Sequence, residues 1–598
     1  MNLIERISIF ENLQSKLSYL SDENLFIEDL CSKLLEEIDD TSDEKEKKIL
    51  ILVYEICRIH LSEDMSNPFI PYQRIQFGIT SAIPEFFTDD ELEFYYGIYE
   101  KVKNKMFKAK IADILWYLKY KKNIEHPRYA ISVYTNLDIE SSKQLWKHLV
   151  YVRRGLYLAI QIKFDLEKVD TKFTQTFLNH VYENTSYLVR LAEVLREFKL
   201  GKKQSEDIAN KLIISAENLE LSKQFNLAEQ YYDEASNWGS KEKYTEIQVK
   251  RAFAYIHNAE DIESNGLMEG IHYENAIKII RALDKNERSK YITPEKEEEL
   301  ISKLQSAGRF AITQMGEHKI KMDVADVIND IILNMKGNTK EDALKQFAFI
   351  SNFVKSSEIE KSSIEQLQNS PLMALCTHVM YASDGRVVAR ETGKKDNLSL
   401  DRNNPSVWQA MIWNYNLQIS LTVQTGIINA LNVLLSEHFI SEHEITETVR
   451  IANIIPCDRQ KVFIKGIMAG FSFDFITSLH LLVPQIENLV REQLHIHGIR
   501  IITLDKDGIE VEVGLSTLVE KTEFTQIFGE DIAFEIRALM CESTGSNLRN
   551  NVAHGLLNEN EMQSAASIYF WWFCFKLVYM QYIAASKSNG KTNNGAKE

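Results

Sequence analysis

An unbroken apolar run lies near the end of the chain and reads Ile568-Tyr569-Phe570-Trp571-Trp572-Phe573-Cys574-Phe575. A helix needs about 20 apolar residues to cross a bilayer, so this run is too short to span a membrane. Apolar side chains on every face of a helix indicate burial on every face. We therefore predict a last helix over Ala565–Ala585 that lies in the core of a helical bundle, rather than a platform on which nucleic-acid bases stack.

The residues before this run predict that the bundle covers 465–586. Apolar periodicity predicts its earlier helices over Phe471–Gln493, Phe524–Phe528 and Asp531–Cys541, with a further helix that begins at Leu548. Between Ile499 and Val513 the apolar period becomes two residues and is interrupted by Asp505-Lys506-Asp507-Gly508. That pattern is typical of a β-hairpin, which we expect as an insert between helices.

The composition of the whole chain favours helices. Only 9 prolines and 23 glycines occur in 598 residues, while Glu-, Lys- and Leu-rich runs are long and frequent. We therefore predict a mainly α protein with a multi-helix N-terminal region and a C-terminal helical bundle. The predicted parts are an N-terminal helical domain (1–210), a helical region (211–370), a helical connecting region (371–464), the bundle domain (465–586) and a disordered tail (587–598).

Amphipathic helices follow one another through the N-terminal region. They are predicted over Asp89–Asn104, Lys143–Tyr157 and Phe173–Glu197, among others, and Pro68–Pro84 is the clearest loop. The segment 384–406 is the most loop-like of the chain, and we expect it to separate the N-terminal helices from the C-terminal region.

Small and aromatic residues alternate between 211 and 290, as in Leu227–Ala235, Ala252–Tyr255 and Tyr273–Ile277. This spacing resembles tetratricopeptide-type helical hairpins, in which alanine lets neighbouring helices approach. Two units are recognisable where about three are usually needed. A helical bundle without repeats is therefore the alternative.

Charge and cysteine content restrict the class of protein. The formal net charge of −17 is unfavourable for a general nucleic-acid coat, which binds phosphates through a basic surface. The six cysteines form no CxxC pair, as expected for a reducing cytosol. The first residues, Met1–Arg6, include an early acid and no long apolar run, so no signal peptide is expected. We expect a cytoplasmic protein that does not associate with membranes.

Candidate catalytic residues lie in Leu548-Arg549-Asn550-Asn551-Val552-Ala553-His554-Gly555. A histidine near neutral pKa can take a proton from a ribose 2′-hydroxyl or return one to the leaving oxygen. An arginine can hold the phosphate while negative charge builds on it. We therefore predict that His554 transfers protons and Arg549 binds the phosphate. The alternative is an arginine and a histidine at the surface without chemistry.

The neighbouring residues have expected supporting roles. Asn550 lies four residues before His554 and is predicted to orient the imidazole or donate to phosphate, with Asn551 as a further supporting residue. Asn547 is expected to cap the helix N-terminus.

Two further predictions concern residues around the helix. Gly555 is expected to allow close approach of a partner helix or an RNA backbone. Glu487 is a candidate to lie on the facing helix and tune His554, but an i,i+4 ion pair with Arg491 is the simpler explanation of its position.

The run Leu548–Gly555, together with Leu481–Arg491 upstream, resembles the HEPN superfamily, and in particular large bacterial members with long N-terminal regions. Its motif is an arginine, a polar residue, three variable positions and a histidine, which Arg549, Asn550 and His554 match. The resemblance implies a helical bundle over 465–586 and a dimer with a shared active site. It also implies metal-independent RNA cleavage by 2′-hydroxyl attack, which leaves 2′,3′-cyclic phosphate and 5′-hydroxyl ends.

The resemblance therefore implies an endoribonuclease that acts as a toxin or an antiphage effector, with RNA, and by analogy transfer RNA, as substrate. No cofactor or metal is expected, and we expect the N-terminal region to bind a protein trigger. Because the superfamily includes inactive members, the alternative is a non-catalytic helical scaffold that uses the bundle for dimerisation or RNA docking.

A second histidine-containing segment, Glu437-His438 with Glu442-His443-Glu444, is superficially similar to a metal site. Its histidines are five residues apart, which does not place them on one helical face, and a third ligand is not evident. We expect a solvated helix end.

Overall fold

Helices make up most of the described chain, and its strands form only short antiparallel pairs, so the expectation of a mainly α protein is confirmed. The computed structural model describes residues 1–71, 83–181, 185–316, 322–370, 378–382, 384–391, 401–452 and 454–594. The chain divides into two units, Met1–Ala307 and Gly308–Glu598. The five-part division from the sequence is finer than this and stays a prediction.

The first unit is built from helices, the last of which begins in it at Pro294 and continues past Ala307 into the second unit. They are α1 (Leu3–Lys16), α2 (Ser18–Ser21), α3 (Ile27–Asp40), α4 (Glu44–Arg58), α5 (Asp89–Ile98), α6 (Lys105–Tyr117), α7 (Glu125–Tyr134), α8 (Ser142–Ile162), α9 (Leu166–Asn179), α10 (Tyr187–Glu197), α11 (Ser205–Leu221), α12 (Phe225–Trp238), α13 (Lys241–Asp261), α14 (Gly266–Ala282), α15 (Lys285–Arg288) and α16 (Pro294–Gln314). Strands β1 (His60–Leu61) and β2 (Phe69–Ile70) pair between α4 and α5. Most of the predicted loop Pro68–Pro84 lies outside the described residues.

The helix starts follow from ordinary capping chemistry. The Asp43 carboxylate accepts the backbone N–H groups of Lys45 and Glu46 at the start of α4. Thr88 and Glu91 form a capping box at the start of α5. The predicted helix over Asp89–Asn104 is in fact α5 followed by a single 3₁₀ turn.

The single helix predicted over Phe173–Glu197 is wrong, because α9 ends at Asn179 and α10 begins at Tyr187. The backbone leaves the helical region at His180, where φ is −59° and ψ is 132°. Apolar residues continue on both sides of this break, which is why periodicity alone joins the two helices.

Helices α11 to α14 form successive hairpins, each helix contacting the next. Alanines 228, 235, 252 and 276 are fully buried between them, so their small side chains allow close helix approach. This arrangement is compatible both with tetratricopeptide-type repeats and with a helical bundle without repeats, so the tetratricopeptide assignment stays a prediction.

The second unit contains a larger bundle. After α16 its helices are α17 (Ala325–Met335), α18 (Lys340–Ala348), α19 (Ser356–Asn369), α20 (Pro405–Leu421), α21 (Ile428–Glu437), α22 (Glu442–Ala452), α23 (Gln460–Phe471), α24 (Phe475–Ile496), α25 (Leu515–Leu518), α26 (Thr522–Phe528), α27 (Glu530–Met540), α28 (Leu548–Ala553), α29 (Glu559–Met562) and α30 (Ala565–Asn594). A π-helical turn over Thr422–Ile427 joins α20 to α21.

The aromatic run in α30 lies in the core, as predicted. Residues 569–575 are each at most 1% exposed. The indole N–H of Trp571 donates to the carbonyl of Ile467 at 3.0 Å, and that of Trp572 donates to the carbonyl of Phe347 at 2.9 Å. Because both polar atoms have partners, the two largest side chains are buried without an unsatisfied donor.

The predicted hairpin between Ile499 and Val513 is confirmed. Strand β5 (Ile502–Leu504) pairs with β6 (Glu510–Glu512), and Gly508 adopts a φ of +80° in the turn between them. An L-amino acid with a side chain rarely adopts such a φ, so glycine suits this turn position.

A second hairpin replaces part of the loop predicted over 384–406. Strand β3 (His378–Tyr381) pairs with β4 (Val387–Glu391), and α20 already begins at Pro405. The turn is stabilised by the Asp384 carboxylate, which accepts the backbone N–H of Arg386 at 3.1 Å. The turn residues lie within the predicted loop, but the strands beside them were not predicted.

The last helix is longer than the predicted helix over Ala565–Ala585. Helix α30 continues to Asn594, so residues 587–594 of the expected disordered tail are helical and 595–598 lie outside the described residues.

Among described residues, the stretch Pro405–Glu437 is long and apolar enough to cross a membrane by length and composition, with 44% of its most apolar window buried. A core helix passes the same test, and Met411, Ile412 and Tyr415 are fully buried in the core of this unit.

A carboxyl group lies at the centre of this bundle. Glu535 of α27 is fully buried and accepts the backbone N–H of Val354 at 2.6 Å and the hydroxyl of Tyr415 at 3.1 Å. Burial raises the pKa of Glu535 to about 7, although these hydrogen bonds and the Lys576 ammonium oppose the rise. The carboxyl is therefore ionised in the unfolded chain at a pH where it is still protonated in the fold.

This difference predicts a pH dependence of stability. As pH rises from about 4.5 to about 7, the unfolded state loses the Glu535 proton first, and this group lowers the free energy of unfolding by about 3 kcal/mol. Glu535→Gln should remove that decrease. Urea unfolding followed by tryptophan fluorescence at pH 5 and pH 7.5 measures the difference.

The matched control is Glu559→Gln, which changes an exposed carboxylate in the same unit. It should leave the pH dependence of wild-type unfolding unchanged. If the free energy of unfolding changes equally with pH in wild type and in Glu535→Gln, the prediction is contradicted.

Candidate active site

The candidate residues surround the short helix α28, whose entry differs from the sequence-based prediction. Asn547 occupies the N-cap position, but its φ is +43° and its side chain makes no capping hydrogen bond, so the expected side-chain cap is wrong. Instead, the side-chain amide of Asn551 donates to the carbonyl of Ser546 at 3.0 Å. Asn551 therefore holds the loop before the helix against its first turns.

The end of α28 is fixed by Gly555. Its φ is +63°, and the N–H groups of Gly555 and Leu556 donate to the carbonyls of Val552 and Asn551 at 3.2 and 2.8 Å. This is the usual way in which glycine ends a helix, because a residue with a Cβ is strained in this conformation. Gly555 thus has a role within its own chain, and the close approach of a partner or an RNA backbone there stays a prediction.

The carboxylate of Glu487 in α24 forms ion pairs with two arginines. One carboxylate oxygen accepts from Arg491 at 2.9 Å, and the other accepts from Nε of Arg549 at 3.0 Å. Burial raises the pKa of Glu487, but the hydrogen bonds and charges of Arg549 and Arg491 outweigh it and lower the pKa overall. The expected ion pair with Arg491 is confirmed, and the contact with Arg549 places Glu487 beside the candidate helix. The expected influence of Glu487 on His554 stays a prediction.

Arg549 is oriented by this ion pair and still accessible. Its side chain is 36% exposed, against 16% for Glu487. The pair uses Nε, and within the described part of the chain neither Nη1 nor Nη2 has a hydrogen-bond partner. The guanidinium therefore has its terminal donors available for an anion.

Arg549 and Asn550 line a cleft of about 660 Å³. The β3–β4 hairpin forms another wall of this cleft through residues that include Tyr381, Arg386 and Val388. Sequence reasoning missed this wall, because it treated the segment as a loop. The polar turn Asp384-Gly385-Arg386 was the signal that a hairpin was present.

His554 occupies a different position. It is the C-cap residue of α28, it is exposed, and it does not contribute to the lining of the cleft. Its backbone N–H donates to the carbonyl of Asn550 at 3.1 Å, and the Asn550 side chain makes no described hydrogen bond to the imidazole. The structure brings Arg549, Asn550 and Glu487 together, but it does not place His554 in the same cleft.

The other histidine-containing segment is held by ordinary contacts. The His438 ring lies 3.0 Å from the carbonyl of Asn338, and Glu444 forms an ion pair with Lys340 at 2.7 Å. Among the described residues, no group of three or more His, Cys, Asp or Glu is arranged to hold a metal ion.

The fold and the cleft define a mainly helical protein with an arginine-lined pocket in its second unit. A family model described as "Domain of unknown function (DUF7380)" matches residues 18–171, which belong to the first unit and do not include α28. No curated protein matches the chain, and no solved structure matches it.

The role of Gly555 predicts a specific effect of substitution. Gly555→Ala should lower the free energy of unfolding by about 1 kcal/mol, because alanine is strained at a φ of +63°. Gly555→Asn should cost less, since asparagine tolerates this region better. Urea unfolding of the full chain measures both.

The control for this pair is Gly316→Ala. Gly316 also has open space where a Cβ would point, but its φ lies outside the left-handed region. This substitution should change stability by only a few tenths of a kcal/mol. Equal effects at both positions would show that the left-handed backbone is not what selects glycine at 555.

Proposed function

We propose that the chain is a metal-independent endoribonuclease whose cleavage site is built on α28. The observation that carries this proposal is the orientation of Arg549. Its Nε is bound by the half-buried carboxylate of Glu487, while its terminal nitrogens remain available at a cleft. A guanidinium held in this way is suited to stabilise a phosphate on which negative charge develops.

In this mechanism His554 transfers the proton of the ribose 2′-hydroxyl, and Asn550 donates to a phosphate oxygen from the lining of the cleft. The 2′-oxygen attacks the adjacent phosphorus and the bond to the 5′-oxygen breaks, giving a 2′,3′-cyclic phosphate and a 5′-hydroxyl. A histidine acts as base when neutral and as acid when protonated, so two histidines serve both ends of the step.

A dimer supplies the second histidine. His554 is exposed at the end of α28 and does not line the cleft of its own chain. If two α28 helices face each other across a two-fold axis, each exposed imidazole approaches the Arg549 of the partner subunit. The proposal therefore includes a homodimer with a composite site.

The charge of the chain favours a selective nuclease. With a net charge of −17, binding to arbitrary polyanions is unfavourable, and phosphate must be bound locally. We place the protein among toxins or antiphage effectors that cut a structured RNA such as transfer RNA. The N-terminal region would then bind a protein trigger and keep the activity off until it is needed.

One observation favours a second function. His554 lies outside the cleft, whereas Arg549 and Asn550 line it, and phosphate binding without proton transfer needs only the latter two. In this alternative the bundle docks RNA or dimerises as part of a helical scaffold and does not cut.

Cleavage of total RNA in EDTA distinguishes the two functions. The purified wild-type protein should release fragments with cyclic phosphate ends, and chelation should leave the rate unchanged. His554→Ala should lower the rate by at least about 100-fold while leaving RNA binding intact. Arg549→Ala should lower both cleavage and binding.

His495→Ala is the matched control, because this histidine is also exposed and its imidazole makes no described hydrogen bond. It should cut RNA at the wild-type rate. If wild type binds RNA but yields no cyclic phosphate ends, the docking function replaces the nuclease. If neither wild type nor variant binds or cuts RNA, both proposals fail.

A further inference from the structure

A second cleft lies in the first unit. It has a volume of about 780 Å³ and is formed by the end of α6, the turn that follows, and α8. Its chemically distinctive lining residues are Trp116, Tyr117, Lys119, Lys122, Arg154 and Tyr157. All of them lie within the segment 18–171 that matches the family of unknown function.

The described lining of this cleft contains three cations and no carboxylate. Lys119 and Lys122 are exposed, and within the described chain neither side chain makes an ion pair or a hydrogen bond. In a chain with a net charge of −17, two lysines without an ion pair at one concave surface attract anions locally.

Arg154 forms the base of the cleft. It is only 3% exposed and pairs with the buried Asp113, with Nη2 and an Asp113 oxygen 2.7 Å apart and Nε also bound. Its Nη1 makes no hydrogen bond to any residue that the structure describes. The pair is electrically neutral, so the net positive charge of the cleft comes from the two lysines, and Arg154 contributes a positioned donor.

Aromatic rings supply the rest of the wall. Trp116 and Tyr157 are partly exposed, and the Trp116 indole N–H is bound by Gln161 at 3.3 Å. The Tyr117 ring packs edge-on against Phe69 at 5.1 Å, and its hydroxyl donates to Glu85 at 2.5 Å. These contacts hold Trp116 and Tyr117 in place, and the side chains of Trp116 and Tyr157 are exposed enough for stacking.

We propose that this cleft binds a nucleotide. The planar base stacks on the exposed aromatic faces, and the phosphates bind Lys119 and Lys122. The volume lies within the range of about 300–1,000 Å³ that is usual for small-molecule sites, which favours a single nucleotide over a polymer. The site is in a different unit from α28, so this proposal does not depend on the nuclease.

Isothermal titration calorimetry on the full chain tests the proposal with ATP, GTP, CTP and UTP as separate probes. At least one should bind saturably, with an affinity that falls as salt is added. Lys119→Gln/Lys122→Gln should weaken that binding at least tenfold, because each substitution removes a charge-assisted contact with phosphate. Both lysines are exposed, so the variant should fold normally.

Lys199→Gln/Lys202→Gln is the matched control. Lys199 and Lys202 have the same spacing as Lys119 and Lys122 and are exposed in the same unit. The φ of Lys199 is +58°, and that of Lys119 is +57°, so the two pairs also match in backbone conformation at the first lysine. Neither lines the cleft. This control should bind the nucleotide like wild type, and so should Arg549→Ala.

Several results would overturn the assignment. These are the absence of saturable binding by all four nucleotides, equal weakening in both lysine pairs, or loss of binding in Arg549→Ala, which would place the ligand in the other cleft. Inorganic triphosphate that binds as tightly as the nucleotide would also overturn it, because the rings would then contribute nothing. The same holds for adenosine that binds as tightly as ATP, because the lysines would then contribute nothing.

Discussion

The second unit depends on the burial of the aromatic face of α30. Trp571 lies against Gly470, where a Cβ would overlap the indole ring, so α23 can approach α30 only because residue 470 has no side chain. The other face of α30 is held through Trp572, whose N–H binds the carbonyl of Phe347 in α18. Helices from distant parts of the sequence are thereby packed around one core, and the position of α24 follows from this packing.

The geometry of the candidate site depends on the position of α24. Glu487 projects from α24 and is bound on one side by Arg491 of the same helix and on the other by Arg549 of α28. Arg491 also pairs with Glu512 at 2.7 Å, which ties the β5–β6 hairpin to the same group of charges. The orientation of Arg549 is therefore set by a chain of ion pairs that begins on a helix packed in the core.

The sequence predicted those parts of the fold that depend on neighbouring residues. The helices of 465–586 and the β5–β6 hairpin follow from apolar period and turn chemistry, both of which are local. The contact between Glu487 and Arg549 joins residues 62 positions apart, so no local pattern reveals it. The β3–β4 strands were missed because they are short and flank a polar turn. Asn547 was misassigned because asparagine suits both an N-cap and a left-handed backbone.

The two clefts share one chemical arrangement. In each, a carboxylate with little exposure binds an arginine through Nε, Asp113 with Arg154 in the first and Glu487 with Arg549 in the second. The pairing cancels much of the positive charge but leaves at least one terminal nitrogen without a described partner. In each cleft a guanidinium donor is thereby held in a fixed position, and in the first cleft Lys119 and Lys122 add positive charge. Both proposals depend on this arrangement, which would let a strongly acidic chain recognise phosphate selectively without a broad basic surface that would bind every polyanion.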